Sequence, residues 1–205
     1  MRIRQRVVLL LMAAGLLASA PLQAATERYN VDPDHTIVGF KVAHMVVSKT
    51  TGRFMDYTGF IEMDPEAKTV KAIEADIKTA SVTTNHEKRD IHLKSPDFFN
   101  VEKYQAMTYR MTSYAKDGDR YVAKGNLTLL GVTKEIALTG MLNGIQAKDL
   151  YGMTRAGFSA TGKINRKDFG MVWNKLLDNG GLAVGDEVEI TLEVECIKQK
   201  ESPKP

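Results

Sequence analysis

Four histidines, His35, His44, His86 and His92, are the side chains of this sequence best suited to ligate a metal or move a proton near neutral pH. Their spacing works against both. His86 and His92 are six positions apart, which on a helix sets them about 120° apart around the axis. A zinc-binding helix presents its histidines at i and i+4 instead. His35 and His44 occupy an odd and an even position, nominally on opposite faces of an extended strand. A metal centre would have to be assembled from distant strands, and none is expected. The single cysteine, Cys196, excludes an intramolecular disulfide and has no basic neighbour in sequence to activate its thiol. No Gly-x-Ser-x-Gly elbow and no glycine-rich phosphate loop occurs. Neither a catalytic residue nor a cofactor is expected.

The elements that position these residues are strands. Glu187 to Cys196 alternates polar with apolar for ten residues, which places Val188, Ile190, Leu192, Val194 and Cys196 on one face and reads Cys196 as a buried, inert thiol. The same alternation recurs over Thr36–His44 and Gly125–Leu130. Further strands are expected over Phe54–Met63, Val70–Thr79, Ala106–Tyr114, Lys134–Leu142 and Arg155–Ile164. Turn chemistry separates them at Asp64-Pro65, Asp117-Gly118-Asp119, Leu130 to Thr133 and Asn143-Gly144. Eight or so strands so spaced make an antiparallel sandwich or barrel. The faces expected to point inward carry Val38, Phe40, Val42, Phe54, Ile73, Ile77, Met107, Tyr109, Leu127, Leu129, Ile136, Leu138, Phe158, Ile164, Val188, Ile190, Leu192 and Val194. A barrel of that size is either filled by such side chains or leaves room for one small ligand. One segment breaks the rhythm: Asn85–Lys94 lacks the period of two, ends at Ser95-Pro96, and reads as a helix. With Phe98 and Phe99 after it, that helix is expected to form a lid over one mouth.

The chain ends bound the setting. Arg2, Arg4 and Arg6, the apolar run Val7 to Ala18 and the small and polar residues Ser19 to Ala25 read as a secretory signal peptide over residues 1–24. The apolar run falls short of the roughly 20 residues that a membrane span needs, so no stable membrane insertion is expected. Removing residues 1–24 turns 28 basic and 25 acidic residues into 25 of each. A neutral chain lacks the basic footprint of a nucleic-acid binder, and that partner is dropped. One domain is expected over residues 25–198, followed by a polar tail at residues 199–205.

Five blocks, taken in order, resemble a known family. They are YNVDPDHTIVGFKVAH from Tyr29 to His44, Gly52-Arg53-Phe54, TNHEKRDIHLKSPDFFN from Thr84 to Asn100, GNLTLLGVTKE from Gly125 to Glu135, and Arg166 to Gly170. Together these look like the signature blocks of YceI-like proteins. The resemblance implies an all-β fold, an eight-stranded antiparallel lipocalin-like barrel with a short helical insertion. It also implies a periplasmic location, no catalysis, and an apolar interior holding a polyisoprenoid, fatty-acyl or related long-chain lipid. Blocks carried over are His44, the helix with Arg89, Asp90, His92 and Leu93, and Phe98 and Phe99. With the inward faces, the expected ligand contacts are Val38, Phe40, Val42, His44, Phe54, Arg89, His92, Phe98, Phe99, Met107, Tyr109, Leu127, Leu129, Phe158 and Trp173.

Plainer roles stand beside these. Arg89 and Asp90 would equally pin the helix to neighbouring strands, His92 would serve as a hydrogen-bonded core residue, and Trp173 would plug the second mouth or pack on the surface. Two other functions stay open at this level. One is a stress-related periplasmic protein with a filled barrel that acts through surface contacts. The other is an enzyme on a lipid-like substrate, which requires acids and histidines to converge inside the pocket. An exposed apolar stripe on an edge strand would add a homodimer.

Overall fold

Alternation in the sequence becomes pairing in space. The structure is a computed structural model that describes residues 26–178 and 180–200, so the expected signal peptide and the end of the polar tail lie outside the described residues. Its elements are β1 (Glu27–Val31), β2 (Ile37–His44), β3 (Ser48–Phe54), β4 (Tyr57–Asp64), β5 (Thr69–Lys78), β6 (Val82–Thr83), α1 (Glu87–Lys94), β7 (Ala106–Asp117), β8 (Arg120–Leu129), β9 (Val132–Gln146), β10 (Arg155–Asn165) and β11 (Val184–Lys198). Neighbours pair antiparallel in the order β1-β4-β5-β7-β8-β9-β10-β11, and β1 returns to β11. That ring is a closed eight-stranded barrel, as expected.

Two of the eight staves are bent. β11 pairs with β2 along Val184 to Glu193 and with β1 at Cys196 to Lys198, so β1 and β2 form one stave interrupted by a 3-10 turn at Pro33–His35. The sequence dictates this break. Pro33 has no N–H to give to a ladder, and Asp32 accepts from the backbone N–H of Asp34 at 3.1 Å. The Tyr57 hydroxyl then locks the corner by donating to the Thr36 carbonyl at 2.5 Å. β3 and β4 make the matching second bent stave beside it. The expected single strand Phe54–Met63 is therefore the end of β3, a bend and most of β4.

Turn chemistry is mostly as read, with one correction. Leu130 and Gly131 both have positive φ, 52° and 75°, in a tight turn between β8 and β9, the left-handed pair that a two-residue hairpin needs. Asn143-Gly144, read as a turn, is instead a bulge within β9. The register against β10 shifts there, with Gly157 opposite Gly144 and Phe158 opposite Leu142. Asn143 is the extra residue, and its amide donates to Ser159 Oγ at 2.9 Å. Bulges and hairpins share a taste for Asn and Gly because both need unusual backbone angles.

The barrel interior is two cores stacked end to end. One cluster, with Tyr29, Met63, Tyr121, Ala123, Phe158 and Cys196, fills and closes the end of the barrel near the corner at Asp32. Burial there pushes the Cys196 thiol up to about 12 and keeps it protonated. The other cluster, with Phe54, Ile77, Phe98, Phe99, Leu127, Leu129 and Phe169, lines the half under α1. Phe158, expected among the ligand contacts, and Val194, expected on an inward face, both belong to the filled end. Alternation assigns a face, and it carries no information about depth along the barrel axis.

Candidate ligand cavity

The half of the barrel under α1 is hollow, with a cavity of about 380 Å³. All the expected ligand contacts line it except Phe158. Val38, Phe40 and Val42 come from β2, Phe54 from β3, Met107 and Tyr109 from β7, and Leu127 and Leu129 from β8. Ile73, Ala75 and Ile77 of β5 and Ile190 and Leu192 of β11 complete an apolar wall. Among the described residues, the depth of the cavity carries the Tyr109 hydroxyl as its polar group, which is spent on the Ala123 carbonyl at 3.0 Å. Its phenol is pushed up to about 12, chiefly by burial, and stays neutral. The tyrosine ring reaches this position because residue 125 is glycine. A Cβ there would lie 2.5 Å from the ring.

Polar side chains gather at one end, where three segments frame the opening. His44 and Thr50 stand near the tip of the β2–β3 hairpin, Thr84, Arg89 and His92 come from α1 and the segment before it, and Trp173 and Arg166 flank the β10–β11 loop. The helix starts two residues later than expected, at Glu87, capped by His86, whose ring accepts from the Arg89 N–H at 3.3 Å. Asp90 ties the helix to β6, whereas, among the described residues, the side chain of Arg89 reaches only Thr84, outside any strand. Asp90 accepts from the Thr83 hydroxyl at 2.8 Å and from the Thr84 N–H and hydroxyl at 2.7 and 2.6 Å. Burial raises the Asp90 pKa, but the hydrogen bonds from Thr84 and Thr83 outweigh it and hold the carboxyl below its usual value. Arg89 also grips Thr84, through Nε at 2.7 Å, while still lining the cavity.

Trp173 stands elsewhere than at a second mouth. Its ring meets His92 edge-on at 4.7 Å and Phe98 at 5.3 Å, so it closes the same opening as the helix. His92 is anchored in turn by Asp97, with Nε2 2.8 Å from Oδ2. Sequence gave no hint of what holds Trp173 there. The buried Arg166 donates to the carbonyls of Met171, Trp173 and Gly185 at 2.7 to 2.8 Å, tying the loop down from below. Burial lowers the pKa of its guanidinium, partly offset by Asp186.

A second polar cluster lies at the filled end. Asp32, His35 and Glu195 bring ligand-type atoms within 4.8 Å of one another, an arrangement able to take a cation. Arg155 already occupies it, donating to Asp32 and Glu195 at 2.6 Å each and to Asp149 at 2.6 Å. The guanidinium supplies the positive charge that a metal would bring, and the cluster is a salt-bridge network. Burial would raise the Asp32 pKa, but hydrogen bonds from His35 and Arg155 outweigh it and hold the carboxyl low. The hydrogen bond to Asp32 raises His35. The signs give a window. The Asp32 contribution is complete above the ordinary carboxylate range and is lost as pH falls through its depressed value. The His35 contribution is complete below about pH 6.5 and is lost as pH rises through its raised value. The stability lost in Asp32→Asn should therefore be greatest between those limits and shrink on both sides, most steeply in acid. Urea unfolding at a series of pH values checks this, and a pH-independent loss would contradict it.

The model of a family described as the YceI-like domain matches residues 29–196. A curated relative, protein YceI of Salmonella newport, is 38% identical over 189 residues, which cover 92% of this chain and 95% of that protein. The crystal structure of a Campylobacter jejuni YceI protein is similar at 36% identity, covering 76% of this chain and 88% of that one, with a TM-score of 0.66. A polyisoprenoid binding domain from Saccharophagus degradans has the same fold, with a TM-score of 0.61 at 14% identity over 83% of this chain and 98% of that one.

Proposed function

The chain belongs to the YceI-like family, and from that premise we propose that it is a periplasmic binding or carrier protein that holds a polyisoprenoid or other long-chain amphiphile inside the barrel. The observation that carries this reading is the distribution of polarity in the cavity. Its depth is apolar and its polar groups collect at the mouth, which suits a ligand with a long hydrocarbon chain and a small polar head. A volume of about 380 Å³ falls within the range of ligand pockets, roughly 300–1,000 Å³. It also speaks against a barrel filled by its own side chains. Burying on the order of 400 Å² of chain at about 25 cal/mol/Å² gives roughly 10 kcal/mol. That exceeds an association cost of at least several kcal/mol. The arginine-led apolar segment over residues 1–24 supports export.

Binding fits better than catalysis. No carboxylate among the described residues lines the cavity, and Asp97, the acid partner of His92, stands outside that lining. The fifteen residues expected from sequence, less Phe158, are the proposed contacts.

Native mass spectrometry of protein taken directly from cells, with lipid extraction, tests the proposal. A bound isoprenoid or acyl species is expected. Ala75→Phe places a ring in the hollow from a β5 position opposite Tyr109 and should abolish copurification while the fold survives. Wild-type protein that carries no lipid and takes up neither isoprenoid nor fatty-acyl probes would overturn the reading.

A further inference from the structure

The mouth of the cavity is ringed by apolar side chains that the barrel does not need. At the tip of the β2–β3 hairpin, Met45, Val46 and Val47 are exposed, the two valines at 86% and 82%. Beside them, in the β10–β11 loop, Val172, Leu176 and Leu182 are exposed as well. The two groups are in register, since the Met45 N–H donates to the Ala183 carbonyl at 3.0 Å and Leu182 bridges Leu176. Ile91 adds an exposed apolar side chain from α1.

The hairpin tip is held against local preference. Met45 and Val46 both have positive φ, 50° and 62°, a conformation that suits Asn and Gly and strains a β-branched residue. The chain thus places a strained, solvent-exposed Met-Val-Val where Asn-Gly would fold more easily. Strain together with exposure of the same apolar residues points to a contact outside the folded monomer.

We propose that this rim is a membrane-docking surface, whose tips enter the interfacial layer of an anionic lipid bilayer and set the cavity mouth against it. The inference rests on the lipid-carrier reading and adds where the ligand is exchanged. Three observations select a bilayer over a protein partner. The apolar rim is continuous with the apolar cavity through His44, Val184 and Trp173, so a chain leaving the bilayer meets no aqueous gap. The exposed residues project from turn and loop segments at the barrel end, Met45 to Val47 beside Leu176 and Leu182, and are small aliphatic side chains with no aromatic anchor of the kind that protein interfaces favour. Charge is complementary, because the rim segments 41–50, 85–94 and 172–183 hold Lys41, Lys49, Lys88, Arg89, Lys94 and Lys175 against Glu87, Asp90 and Asp178, a surplus of three, on a chain whose charges balance as a whole once residues 1–24 are removed. Of these cations Lys49 is paired with Glu189, while Lys88 and Lys175 are exposed.

The test is flotation with phosphatidylglycerol vesicles, run beside uptake of a fluorescent isoprenoid probe from dilute solution. Wild-type protein should float, less so at high salt. The pair Met45→Asn and Val46→Gly should reduce vesicle partition by about tenfold or more and slow uptake from vesicles. The same pair should raise the thermal midpoint by relieving the turn and leave uptake from solution intact. Leu150→Asp removes a side chain that is 98% exposed in the loop at the opposite end of the barrel and should change nothing. Wild-type protein that stays off vesicles while taking up soluble probe would overturn the docking surface alone. So would a hairpin variant that floats as well as wild type. Loss of a concentration-dependent dimer in that variant, with vesicle binding unchanged, would assign the rim to a second copy and equally overturn it. Failure to take up probe from any source would instead sink the carrier reading.

Discussion

Arg166→Met is expected to lower stability by about 3–5 kcal/mol and to release lipid faster than its unfolding alone explains. The guanidinium is only 2% exposed, and its nearest carboxylate, Asp186, is 3.4 Å away and over a third exposed. The residue is therefore a buried cation held mainly by carbonyls. Removing it strands the carbonyls of Met171, Trp173 and Gly185 in a dry pocket, and each orphaned acceptor costs roughly 1–3 kcal/mol. Methionine keeps most of the volume, so cavity formation is not the cause. A drop in thermal midpoint on the order of 10 °C is the expected reading for a domain of this size. Arg166→Lys should fall between, because an ammonium reaches fewer of the three carbonyls at once. A methionine variant as stable as the wild type, with Trp173 fluorescence unchanged, would contradict this account of the loop.

Truncation of both Phe98 and Phe99 to alanine should leave no folded protein to assay. The rings are nearly fully buried in the core under α1, and Phe99 packs edge-on against Phe54 at 5.4 Å. Each truncation costs about 3–5 kcal/mol, and the sum rivals the total stability of a typical domain, about 5–15 kcal/mol. The pair is thus as much core as cover. The separable part of the closure is Trp173, which is less buried and meets His92 and Phe98 across the mouth. Trp173→Ala should stay folded and shorten lipid retention. Release rate compared with thermal midpoint separates the two effects, and unchanged retention in a folded Trp173→Ala would remove the tryptophan from the closure.

What the sequence determined by itself was local and periodic. A period of two put Val38, Phe40, Val42, Leu127 and Leu129 on inner faces, because successive strand residues alternate sides whatever the fold does. The break in that period at Asn85–Lys94 located the helix, and ordered motif blocks identified the family. Those signals sufficed for the barrel and for most of the cavity wall. Position along the barrel axis needed the tertiary structure. Phe158 faces inward like the others but falls in the filled end, since depth depends on strand stagger around the whole ring. Trp173 and Arg166 were invisible as partners for the same reason. Their contacts join a loop to α1 and to the start of β11, and no spacing in one dimension encodes them. The Asp32–Arg155–Glu195 network likewise brings together residues 123 and 40 positions apart. Whether the barrel was hollow was also a tertiary matter. The same apolar residues can fill a core or line a space, and only the fit of side chains from all eight staves decides how much volume is left between them.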